Sequence, residues 1–140
     1  MGTKFFSLDC EAESNALLWG LTSHEKASKL VWQINKIEEL DFFRTDDLQL
    51  LRNKTKYFFI HYEHVDSNYE LVYHLYKNHC DGALLIPELK QITYFIHVKY
   101  ADELPQKNIF NKLNKPSEGQ LCFPIKPQQL KPKTRDLLTI

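Results

Sequence analysis

The sequence predicts one α+β domain over residues 1–140, a mostly antiparallel sheet of about five to seven strands packed with two main helices. Three observations predict it. A length of 140 residues lies in the commonest domain size, large enough to bury about two-thirds of the unfolded surface in one core. Hydrophobic residues at 43% and charged residues at 26%, with four Gly and six Pro, make a globular composition. Aromatic residues at 13% favour strands, where stiff flat rings pack well on a pleated surface.

Taken in order, Lys4 to Asp9 alternates and predicts a first strand. The run Asn15 to Leu21 is apolar but short, and periodicity leaves it open between a buried strand and a helical turn. Thr22-Ser23-His24-Glu25 has the spacing of a capping box, which predicts a helix start. Ala27, Leu30, Val31, Ile34, Ile37 and Leu40 then recur at helical spacing, opposite Lys29, Gln33, Lys36 and Glu39, and predict one buried stripe. Trp32 and Asn35 lie off that stripe and are expected to face a strand edge or a partner.

Beyond Asp41 short strands are expected at Phe42–Arg44 and Leu48–Leu51, with a turn at Asn53-Lys54. Two long runs follow, Lys56 to Val65 and Tyr69 to Asn78, joined by Asp66-Ser67-Asn68, which accept turn dihedrals; they predict an antiparallel hairpin. Rings and aliphatics occupy both of its faces, whereas a half-solvated sheet alternates apolar with polar residues. Cover from helices or a second subunit is therefore expected. A turn at Asp81-Gly82, a strand Ala83–Ile86 ended by Pro87, a strand Ile92–Tyr100, a helix over Ala101–Lys115 with Leu104, Ile109, Phe110 and Leu113 inward, and a strand Gln120–Ile125 complete the pattern. Residues 127–140 read as a basic, extended tail.

The formal charge is zero, 18 basic against 18 acidic, so no global field draws the chain to nucleic acid or anionic lipid. Met1 to Glu13 lacks the apolar core of a signal peptide, and Phe6 stands where a myristoylation site wants Ser or Thr. No run of about 18 apolar residues predicts a membrane span. Three dispersed cysteines, Cys10, Cys80 and Cys122, are expected as free thiols in a reducing cytoplasm.

No catalytic, metal or nucleotide motif stands out. His61 and His64, two residues apart along a strand, should point to opposite faces and so not share a metal; a hairpin register brings His74 near one of them. His79, Cys80 and Asp81 bring ligand-type atoms to a turn. Compact zinc spacing is lacking, and no two of the four glycines lie close enough for a phosphate loop. No cofactor, metal or catalytic residue is expected.

The segment Ile86-Pro87-Glu88-Leu89-Lys90-Gln91-Ile92-Thr93-Tyr94 resembles the signature of the IPExxxVDY family, uncharacterised proteins seen mainly in bacteria of the Bacteroidetes group. Ile86, Pro87, Glu88 and Tyr94 match; Ile92 stands for Val and Thr93 for Asp. Leu18-Trp19-Gly20-Leu21, Trp32-x-x-Asn35 and Leu130-Lys131-x-Lys133 extend the likeness in order. The resemblance implies a cytoplasmic α+β domain and no established activity.

The leading expectation is a non-enzymatic interaction or binding module that self-associates as a homo-oligomer or meets an unidentified protein partner. The alternative is a small ligand-binding protein or enzyme with a pocket near the hairpin histidines. A third and weaker reading is an RNA-associated protein using the basic end, against which the neutral charge argues. The candidate pocket or interface residues are His61, Tyr73, His74, His79, Pro87, Glu88 and Tyr94.

Overall fold

The computed structural model describes residues 17–36, 40–67, 70–98 and 109–138. The expected strand Lys4–Asp9, Cys10, the turn residue Asn68, and the first part of the 101–115 helix with Leu104 lie outside them. Within them the elements run β1 (Leu17–Thr22), α1 (Ala27–Ile34), β2 (Phe43–Arg44), β3 (Leu48–Arg52), β4 (Thr55–Phe59), β5 (His61–Asp66), β6 (Leu71–Lys77), β7 (His79–Cys80), β8 (Ala83–Leu84), β9 (Tyr94–Val98), β10 (Leu121–Pro124) and α2 (Pro132–Leu138).

Six strands form one sheet in the order β10-β1-β9-β6-β5-β2, with every pairing antiparallel. Two small hairpins, β3-β4 and β7-β8, stand beside it. This is the α+β domain with an antiparallel sheet that composition and patterning predict. The ambiguous run at Leu17–Leu21 resolves as strand β1, paired on both sides, because its neighbours supply ladder partners that a lone helical turn would lack.

Each strand sends alternate side chains to opposite faces, and here both faces are apolar. On one face Trp19, Leu21, Tyr62, Tyr73, Leu75, Tyr94, Ile96 and Val98 pack with Ala27, Leu30, Val31 and Ile34 of α1 and with Leu113. Residues 109–113 are helical, and Ile109 and Phe110 lean on the same core as expected. On the other face Leu18, Tyr76 and Phe95 pack with Phe59, Leu85, Ile86, Ile92, Ile125, Leu130 and Leu138. A fully buried Leu or Phe contributes about 1.5–3 kcal/mol relative to exposure.

Several local expectations change. The helix begins at Ala27, its N-cap is Lys26 without a side-chain cap, and the Thr22-x-x-Glu25 capping box does not form. Instead the Glu25 N–H donates to Ser23 Oγ at 3.1 Å, since Thr22 is held in β1 against Leu121. Leu40 lies outside the helix but buried, while Ile37 is outside the described residues. The run Lys56–Val65 is not one strand. It breaks at Ile60, so that β4 pairs with β3 and β5 joins the main sheet.

The basic end is no extended tail. Residues Pro127–Gln129 make a 3-10 turn, Pro132–Leu138 a helix, and Leu130 and Leu138 are buried. Their apolar side chains find the second sheet face, a partner that hydropathy along the chain does not reveal. Trp32 is 59% exposed, with Lys36 Nζ 3.5 Å from its ring centroid. Asn35 meets the backbone next to β2: its amide donates to the Phe42 carbonyl at 2.8 Å and its Oδ1 accepts the Phe42 N–H at 2.7 Å.

Candidate functional site

The hairpin β5-β6 fixes the chemistry of the second sheet face. Its register sets Glu63 opposite His74 and His61 opposite Tyr76, and β9 sets His97 opposite His74. Directly opposed residues of antiparallel strands share a face, so His61, Glu63, His74, Tyr76 and His97 all point the same way. The covering layer of α2 and the small hairpins leaves this part partly open: His61, Glu63 and His74 are half-buried, whereas His97 is buried.

The rings are held in place by one another. His61 lies stacked on Tyr76, centroids 4.4 Å apart at 18°, and its Nε2 is 3.0 Å from His74 Nδ1. Its other nitrogen, Nδ1, sits 3.3 Å from the Asp46 carbonyl. A carbonyl only accepts, so Nδ1 carries the proton and Nε2 presents a lone pair. One ligand atom each from His61, Glu63 and His74 lies within 4.8 Å of the others. Burial lowers the His61 pKa, outweighing the Asp46 carbonyl and the Glu63 and Asp47 carboxylates that raise it, and so favours the neutral ring. Burial also pushes the Tyr76 phenol up to about 12. Two imidazoles and a carboxylate so arranged can share a proton or hold a metal ion.

His64 points to the other face, as strand alternation predicts. It is buried, its Nδ1 accepts the Asp41 N–H at 3.1 Å, and burial lowers its pKa against the pull of Asp66 and Asp41. Tyr73 is fully buried on that face, its ring centroid 5.4 Å from that of His64. Of the seven predicted residues, then, the structure unites His61 and His74. It adds Glu63, which sequence reasoning missed although the i, i+2 spacing of His61 and Glu63 already puts them on one strand face.

The remaining four do other things. His79 is exposed on β7. Pro87 opens a 3-10 turn, Pro87–Leu89. The Glu88 carboxylate accepts the Lys131 N–H at 2.8 Å and the Thr134 hydroxyl at 3.2 Å, so it caps the first turn of α2. Partial burial opposes ionisation of Glu88, but those donors hold its pKa below the usual carboxylate range. Tyr94 is buried and its hydroxyl donates to the Glu25 carbonyl at 2.7 Å, tying β9 to the approach of α1. Burial pushes the Tyr94 phenol up to about 12.

Ile86, Pro87, Glu88 and Tyr94 thus each have a structural task. Their segment is further fastened by Asn78, whose amide donates to the Leu89 and Ile92 carbonyls at 3.1 and 3.0 Å and whose Oδ1 accepts the Ile86 N–H at 2.8 Å. A groove lined by Arg52, Pro87, Glu88, Lys131, Lys133 and Leu137 lies beside it, but the Arg52 guanidinium is spent on the Leu84 and Leu85 carbonyls. Cys122 is buried and its thiol is pushed up to about 12 by desolvation, which removes the thiolate that nucleophilic attack needs. No family model matches the chain, and no curated protein matches it either.

Proposed function

We propose that the chain is a non-enzymatic binding module that pairs with a second copy through the open part of its second sheet face. The carrying observation is that Phe43 and Val65, 50% and 53% exposed, share that face with His61, Glu63 and His74. The register supports this, because Phe43 lies opposite Glu63 and Val65 lies two residues further along β5. Burying the exposed half of these two side chains contributes about 1.5–3 kcal/mol per copy, and a formal charge of zero leaves little repulsion between copies. A two-fold pair would set the same patch against itself.

A cytoplasmic setting belongs to this reading, in keeping with two free cysteines among the described residues, and so does membership of the IPExxxVDY family. No helix among the described residues is long and apolar enough to cross a membrane. Sedimentation over a concentration series tests the pairing. A dimer that Val65→Lys converts to a folded monomer is expected; a wild-type chain that remains monomeric at high concentration removes the proposal. A second reading, a small-ligand site at the hairpin histidines, draws support from the meeting of His61, Glu63 and His74.

A further inference from the structure

We propose that His61, Glu63 and His74 form a binding site for a divalent first-row transition-metal ion of the zinc class, with coordination positions left open toward solvent. The proposal rests on the second reading, the ligand site at the hairpin histidines; it does not require self-association, although both use the same sheet face.

The donor set comes first. Two imidazole nitrogens and one carboxylate are the ligands that zinc and ferrous sites with open positions use. The three residues come from two neighbouring strands, β5 and β6, whose ladder fixes their relative placement. Their ligand atoms fall within 4.8 Å of one another. Two nitrogens 3.0 Å apart, each about 2.1 Å from a shared ion, would subtend roughly 90° at it. That angle suits one face of an octahedron; a slight opening of the rings gives a tetrahedral site. The open side is the partly exposed sheet face, where water or a small anion can complete the shell.

The arrangement around His61 is a second, separate observation. Metal-bound histidines characteristically donate their other ring N–H to a carbonyl or carboxylate, which fixes tautomer and orientation. His61 Nδ1 faces the Asp46 carbonyl at 3.3 Å, and Tyr76 stacks against the ring. The Nε2 lone pair therefore faces His74 Nδ1 at 3.0 Å, and a turn of both rings toward a common point would let the two nitrogens share an ion. Without metal, His74 Nδ1–H donates to that lone pair. With metal, His74 moves its proton to Nε2, a change between neutral tautomers that needs no net loss of a proton. The bound ion would meet one carboxylate charge and two neutral rings in a rigid frame.

Zinc sulfate titrated by calorimetry into the full chain, stripped beforehand with chelator, tests the site. One ion per chain is expected. Glu63→Gln should weaken binding by at least about 10-fold, and His74→Ala by at least about 100-fold, beyond the effect usual for outer-shell partners. His79→Ala and Cys80→Ser, at the β7-β8 turn, should leave it unchanged. Because His74→Ala could unfold the chain, imidazole nitrogen resonances of the wild type provide a second measurement: His61 Nε2 and His74 Nδ1 should move on adding zinc.

Absence of uptake at about 1 mM zinc, far weaker than the binding expected of a three-ligand site, overturns the proposal. So does uptake that survives Glu63→Gln and His74→Ala, or one that shifts His24 or His79 instead. Sedimentation with and without zinc separates this result from the pairing: a monomer that binds zinc sinks only the dimer, and a dimer that ignores zinc sinks only the metal site.

Discussion

Asn78 carries more of this fold than its side-chain size suggests. It is fully buried at the end of β6, and its amide and carbonyl serve three backbone groups of the Ile86–Ile92 segment. Replacing it with Ala would strand those groups away from water, at about 1–3 kcal/mol for each buried group left unsatisfied. Asn78→Ala is accordingly expected to lower stability by about 3 kcal/mol or more, read as the midpoint shift in urea unfolding. Nothing in the residue's neighbourhood along the chain predicts this role, because its partners lie 8 to 14 positions away.

Histidine titration belongs to the same scale. Burial lowers the pKa of His61 and His64 below the ordinary 6.5, so near that pH the unfolded chain binds more protons than the folded one. Their contribution is present above the unfolded value and is lost as pH falls toward the folded values. Thermal unfolding should therefore come at lower temperature at pH 5.5 than at 7.5. His64→Gln keeps an acceptor for the Asp41 N–H and removes one titrating ring, so it should reduce that difference; an unchanged difference would clear His64 of any part in it.

At the scale of elements, the small hairpin β3-β4 turns on Asn53 and Lys54, with φ of 50° and 68°. Two consecutive left-handed residues make the turn whose twist matches paired strands, and glycine is preferred at the second position. Lys54 carries a Cβ there at a steric cost of about 1–2 kcal/mol. Lys54→Gly should raise stability by about 0.5–1 kcal/mol, after the added freedom of the unfolded chain is deducted; a loss in chemical denaturation would refute this account of the turn. The turn was legible in the sequence because Asn-Lys sits between alternating runs. The capping box at Thr22 was equally legible and did not form, since β10 claims Thr22 as a strand partner and a local hydrogen bond cannot compete with the ladder.

For the whole molecule, the decisive feature is a sheet with two apolar faces, each under its own cover. The C-terminal segment supplies part of one cover, with Leu130 3% and Leu138 5% exposed. Leu130→Ala should cost about 2–4 kcal/mol in equilibrium unfolding, as buried leucines do; a change under about 0.5 kcal/mol would mean that the segment behaves as a surface tail. Where that cover stops, Phe43, Val65 and the histidine cluster meet solvent, and both the proposed pairing and the proposed metal site draw on this incomplete coverage.

Composition and periodicity by themselves determined the α+β class, most strands, the buried stripe of α1, the hairpin β5-β6 and the opposition of His61 to His64. Those properties depend on local dihedral preference and on the period with which side chains alternate, and both are written along the chain. Only the tertiary structure decided that Glu63 joins His61 and His74, that Glu88 caps α2, that Asn78 anchors the Ile86–Ile92 segment, and that the basic end is a helix lying on the sheet. Each of these depends on register or on packing between residues far apart in the chain, where a shift of one residue in pairing would send every side chain to the opposite face.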